Sequence, residues 1–139
     1  MSTPQRIAIT GASGLIGTAL VGHLKAEGHT VQRLVRRAPV GADEVQWDPQ
    51  TGFVDLEPLR GVDAVIHLAG VGVGDKRWSK KYKSEILNSR LLGTTAIANA
   101  VTELKPQVFI SASAIGWYGE SGNRAVVLVL RHPYILRGR

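Results

Sequence analysis

The chain has 139 residues, 44% of them apolar, no cysteine and a formal net charge of +6, a length and apolar content that suit a single domain with one core. Without cysteine there is no disulfide framework, zinc–thiolate site or thiol nucleophile, which fits a reducing compartment and makes the cytoplasm the expected location. No stretch approaches the roughly 18 apolar residues of a membrane span, and the short polar start, Met1 to Gln5, does not resemble a signal peptide, so no membrane partner is expected.

Arg6 to Thr10 carries Ile7, Ala8 and Ile9 in a row, as in a strand buried on both faces of a parallel sheet. Next comes the Gly-rich turn Thr10-Gly11-Ala12-Ser13-Gly14-Leu15-Ile16-Gly17. Its glycines suit a tight bend at Gly11, close approach of backbone to a phosphate at Gly14, and packing of helix on strand at Gly17. Leu15, Ile16, Ala19, Leu20, Val21 and Leu24 then recur near helical spacing up to Glu27-Gly28, where glycine supplies a C-terminal stop. Strand, glycine turn and amphipathic helix together predict a pyrophosphate site of a dinucleotide, formed by Gly11, Ser13, Gly14, Leu15, Ile16 and Gly17, with the helix dipole completing it.

Thr30 to Val35 reads as a second strand ending in Arg36-Arg37. A ribose 2′-hydroxyl calls for an acid near this point, whereas a 2′-phosphate calls for arginine. No Asp or Glu lies between Glu27 and Asp43. NADP(H) is therefore expected in preference to NAD(H), with Arg36 the first choice for the phosphate and Arg37 the second.

Ala38 to Arg60 is punctuated by Pro39, Gly41, Pro49, Gly52 and Pro58, leaving room for short strands at Val45-Gln46-Trp47 and Phe53-Val54 around a turn. Asp63 to Gly70 is a strongly apolar strand, in which His67 reads as a core histidine bonded to backbone rather than a catalytic base. Leu68-Ala69-Gly70 offers small residues beside which a cofactor ribose can pass. A long helical stretch runs from Ser79 to Leu104, with a break expected near Gly93-Thr94-Thr95, and Pro106 ends it. Val108 to Ser111 is a further strand, and Ala125 to Leu130 another apolar run. Alternation of strand and helix predicts a parallel sheet covered on both faces. The basic residues are scattered among Arg33, Arg36, Arg37, Lys76 to Lys83 and the tail, without aromatic interleaving, so no nucleic-acid partner is expected.

Thr10 to Gly17, Asp63 to Gly70 and Ser111 to Gly119 together resemble the extended short-chain dehydrogenase/reductase superfamily. Trp47-Asp48-Pro49, His67-Leu68-Ala69-Gly70, Arg77-Trp78-Ser79, Lys83, Ser89-Arg90 and Ser111 to Gly119 resemble, more narrowly, its sugar-nucleotide-epimerase-like branch, over residues 5 to 122. The resemblance implies an α/β fold, a Rossmann-type doubly wound parallel sheet, with residues 1–139 forming an NAD(P)-binding domain and residues 123–139 an atypical tail. Most of the C-terminal substrate domain is missing from such a scheme, so the chain reads as truncated or internally deleted. One sheet face would then lack a covering helix and present an apolar patch open to self-association.

By position, Ser113 resembles the superfamily's catalytic serine, which hydrogen-bonds the reacting oxygen of a small-molecule substrate. Its usual partners lie in Tyr-x-x-x-Lys. Here Tyr82, Tyr118 and Tyr134 are followed four positions later by Ile86, Gly122 and Gly138, which leaves Tyr118 as a substitute acid. Two readings stand at this point: an NADP-dependent oxidoreductase or epimerase, and a catalytically silent nucleotide-binding module or sensor.

Overall fold

The structure, a computed structural model, describes residues 3–113. Strands β1 (Arg6–Thr10), β2 (Thr30–Val35), β3 (Glu44–Asp48), β4 (Phe53–Val54), β5 (Ala64–His67) and β6 (Val108–Ser111) form one sheet in the order β4-β3-β2-β1-β5-β6. All pairings are parallel except the β3–β4 hairpin. Helix α1 (Leu15–Ala26) joins β1 to β2, and α2 (Lys80–Leu104) joins β5 to β6.

The pleat sends alternate side chains to opposite faces, and each face has its own core. Ile7, Ile9, Val31, Ala64 and Ile66 meet Leu20, Val21 and Leu24 of α1. Ala8, Leu34, Val45, Trp47 and Val65 meet Ala96 and Ile97 of α2, with Leu59 and Val62 from the segment before β5. The sheet is therefore wound on both sides, as expected of a Rossmann-type fold. On β6, Val108 and Ile110 stand in register with Ala64 and Ile66, on the α1 face. They are about half exposed.

Helix ends follow their sequence signals. Glu27 caps α1, and Gly28, at φ +85°, turns the chain out so that its N–H and that of His29 reach the carbonyls of Lys25 and Leu24. Ser79 caps α2, its Oγ accepting from the Tyr82 N–H at 3.1 Å. The break expected near Gly93-Thr94-Thr95 does not occur: α2 runs unbroken to Leu104. Gly93 serves instead to let the helix pass close over His67 and Trp47, whose ring atoms lie 3.5 and 3.7 Å from where its Cβ would stand. Residues 36–43 connect parallel β2 and β3 without a helix, a shorter crossover than parallel pairs ordinarily use.

Candidate functional site

The chain moves outward from β1 to β2 and β3 on one side and to β5 and β6 on the other, so the carboxyl ends of β1, β2 and β5 meet at a topological switch point, where ligands bind in open α/β sheets. A cavity of about 550 Å³ lies there, within the usual range for small-molecule sites. Its walls are Gly11 to Gly14 after β1, Arg33 to Arg37 at the end of β2, Leu68 to Val71 after β5, Glu44, Trp47 and Pro49 from the β3 side, and Ser89 of α2.

The glycine turn is built by close approach. Gly11 has φ +70°, and a Cβ there would stand 2.8 Å from the Ala69 nitrogen, so the bend lies hard against the end of β5. At Gly17, which is buried, a Cβ would stand 2.1 Å from the Gly11 carbonyl oxygen, which fixes the tight packing of α1 on the turn. Gly14 is the N-cap of α1 and offers no side-chain acceptor. The Leu15, Ile16 and Gly17 amides at the helix start therefore have no intrahelical acceptor, an arrangement suited to an anion. Leu15 and Ile16 expose their side chains, at 93% and 69%, and with Gly17 they lie outside the cavity wall.

Behind this turn, buried Thr10 ties β1 to β5. Its Oγ1 accepts from the Leu68 and Ala69 N–H groups at 3.1 and 3.2 Å and lies 2.7 Å from His67 Nδ1. A hydroxyl has one proton and two lone pairs, so with both lone pairs taken it donates to Nδ1, leaving the imidazole proton on Nε2. Burial pushes the His67 pKa below its ordinary value, in keeping with a neutral ring. His67 is thus the core histidine expected, but its recorded partner is the Thr10 side chain, not backbone, and Trp47 packs edge-on against it at 6.1 Å. The Thr10 bonds hold Leu68 and Ala69 against the glycine turn.

At the end of β2, Arg36 and Arg37 both border the cavity but differ in their partners. Arg37 forms a two-pronged bond with Glu44, Nη1 to Oε2 at 2.7 Å and Nη2 to Oε1 at 2.6 Å. Arg33 bonds both Asp43 oxygens at 3.0 Å and reaches Glu44 Oε1 at 3.2 Å, and Lys25 reaches Asp43 at 3.3 Å. Glu44 also accepts from the Val40 and Gly41 N–H groups. The bond from Arg33 holds the Asp43 carboxyl at about 2, and that from Arg37 holds Glu44 at about 2, so both are ionised. Arg36 is exposed and has no acidic partner among the described residues. Sequence reasoning missed Glu44, because the strand pairing of Arg33 with Glu44 brings the acid to β2 from the next strand.

The loop after β5 is tied to α2. Val71 donates to Ser89 Oγ at 3.1 Å and accepts from Arg90 at 3.0 Å, the Trp78 indole donates to the Val73 carbonyl at 2.6 Å, and the Tyr82 hydroxyl donates to the Gly72 carbonyl. Ser89 and Arg90 thus shape the rim formed by Gly70 and Val71, while Trp78 holds Val73 and Ser79 caps the helix. Ser113 lies two residues past β6, exposed and outside the cavity wall. Tyr118 falls outside the described residues. Among the described residues no cluster of three or more His, Cys, Asp or Glu could hold a metal, and no helix is long and apolar enough to cross a membrane.

The sequence profile of the NAD dependent epimerase/dehydratase family matches residues 7–135. The chain belongs to that family. It is 43% identical over 120 residues to epimerase family protein ML0860 of Mycobacterium leprae, covering 86% of this chain and 39% of the relative. Among solved structures, human epimerase family protein SDR39U1 with NADPH has a TM-score of 0.67 at 30% identity, covering 81% of this chain and 38% of that one. MoeE5 in complex with UDP-glucose and NAD has a TM-score of 0.66 at 29% identity, covering 82% and 38%. The chain thus spans about two fifths of the length of the curated family members it matches, and its sheet is the Rossmann-like part that epimerases share with short-chain dehydrogenases.

Proposed function

We propose that this chain is the cofactor-holding unit of an oxidoreductase or epimerase of the extended short-chain type, binding NADP(H) in preference to NAD(H). The observation that carries this reading is the cavity at the switch point, with the glycine turn Gly11 to Gly14 on one wall and Arg36 on another, and with α1 beginning directly after that turn. A pyrophosphate suits the amides that open α1, and the positions a Cβ would fill at Gly11 and Gly17 mark a turn whose shape glycine alone permits. Among the described residues Lys25, Arg33 and Arg37 share the two acids Asp43 and Glu44 and Arg36 pairs with neither, so around the end of β2 four cations meet two carboxylates, an excess that suits a 2′-phosphate. Leu68, Ala69 and Gly70 would border the ribose. Bound there, the nicotinamide would supply hydride chemistry to a carbonyl or hydroxyl carbon; Ser113, with Tyr118, would place the reacting oxygen.

A second reading, cofactor binding without turnover, draws on the exposed position of Ser113 outside the cavity and the absence of a Tyr-x-x-x-Lys pair. Both readings require the dinucleotide. The test is thermal unfolding with saturating NADPH or NADH: NADPH is expected to raise the midpoint more than NADH, and Arg36→Ala to erase that difference while keeping the response to NADH. Equal shifts with the two cofactors in the wild type would remove the 2′-phosphate assignment.

A further inference from the structure

Glu44 stands where an acid is least expected. A site for a 2′-phosphate should exclude carboxylates from the end of β2, and the sequence of β2 does so. Yet Glu44 borders the same cavity as Arg36 and Arg37. Its side chain is only 4% exposed, while that of Arg37, lying over it, is 57% exposed. Arg37 is thus the lid on a carboxylate at the cavity wall.

The hydrogen bonds show what the lid covers. Oε1 accepts from Arg37 and meets Arg33; Oε2 accepts from Arg37, Val40 and Gly41. Arg37 therefore takes one acceptor position on each oxygen. With Arg37 removed, Arg33 at 3.2 Å from Oε1 and the Val40 and Gly41 amides on Oε2 would remain as partners of the carboxylate. Its removal would open an acceptor toward the cavity and delete a cation there.

We infer that Glu44 is a covered ribose acceptor, and that Arg37 sets cofactor selectivity by covering it, leaving Arg36 to meet the 2′-phosphate. This inference rests on the dinucleotide reading above. An uncovered Glu44 would accept a hydrogen bond from a ribose 2′-hydroxyl and repel a 2′-phosphate, so a single residue would act on both cofactors in opposite directions. Arg36 has no such partner, and its loss would act on one cofactor only. Arg37 then differs from a second phosphate ligand, which would leave the unphosphorylated cofactor indifferent to its removal.

The experiment measures dissociation constants for NADPH and NADH by calorimetric titration of the full chain and four variants. Arg36→Ala is expected to weaken NADPH at least tenfold and leave NADH within twofold. Arg37→Ala is expected to weaken NADPH at least tenfold and to tighten NADH at least threefold. In the double variant Arg37→Ala with Glu44→Gln the gain for NADH should vanish, because the amide no longer presents a charged acceptor. Arg37→Ser, which likewise removes the side chain over Glu44, should repeat the result if the alanine variant fails to fold. Unchanged or weakened NADH binding in a folded Arg37 variant, or a gain that survives Glu44→Gln, would overturn the inference. A wild type that binds neither cofactor would overturn it together with the dinucleotide reading. A wild type that binds both equally would overturn the inference while leaving the dinucleotide reading in place, because no selectivity would remain for Arg37 to set.

Discussion

Gly17 and His67 show how single side chains govern the site. A methyl group at position 17 would stand 2.1 Å from a backbone oxygen that has no flexible end to swing away. Gly17→Ala must therefore push α1 off the turn. Overpacking of this kind costs about 1–3 kcal/mol, and the same shift would pull the α1 amides off a pyrophosphate. Chemical denaturation should show that loss, with NADPH affinity falling at least tenfold. His67 gives a pH prediction. Its folded pKa lies below the ordinary value of 6.5 because of burial, so between the two values the unfolded chain binds a proton that the folded chain refuses. Stability from this residue is complete above pH 6.5 and falls as the pH drops below it. Denaturant midpoints at pH 7.5 and 5.5 should differ more in the wild type than in His67→Asn. The tight glycine turn between β1 and α1 was legible from the order of its glycines alone, because a strand–turn–helix of this composition admits few readings. The Thr10–His67 bond was not, since it joins residues 57 apart in sequence and depends on strand register.

At the scale of elements, periodicity located nearly everything. The apolar spacing of α1 and α2 and the apolar runs of β1, β2, β5 and β6 fall within a few residues of the observed bounds. The failure came where a local signal was overridden by a neighbour. Gly93 reads as a helix breaker, yet it sits inside α2 because His67 and Trp47 lie beneath it. By contrast, the short strands expected at Val45-Gln46-Trp47 and Phe53-Val54 do form despite the surrounding proline and glycine, since Val45 and Trp47 reach the α2-side core. One element end carries a prediction. Lys105 closes α2 in the left-handed region at φ 50°, a conformation glycine adopts without the steric cost that a Cβ brings. Lys105→Gly is expected to raise stability by about 0.5–1 kcal/mol, read as an upward shift of the thermal midpoint. An unchanged or lower midpoint would show that the lysine stem contributes packing that outweighs the strain.

For the whole molecule, the sheet order places three strand ends around one cavity, and the two faces give it a rigid floor. Legibility was lowest here. Composition and periodicity specified an α/β sheet, but not that β3 would return an acid to the end of β2, because that juxtaposition exists only once the strands are ordered. Among the described residues, Val108 and Ile110 on β6 are half exposed, at the edge of the sheet. The central claim is that the switch-point cavity holds a 2′-phosphorylated nicotinamide dinucleotide. Trp47 on its wall provides the probe, because reduced nicotinamide absorbs where tryptophan emits. In a titration of the full chain with NADPH and with NADH followed by tryptophan emission, saturable quenching by NADPH at a lower concentration than by NADH is the predicted result. Emission that falls only linearly with either nucleotide, with no saturation and no thermal stabilisation, would contradict it.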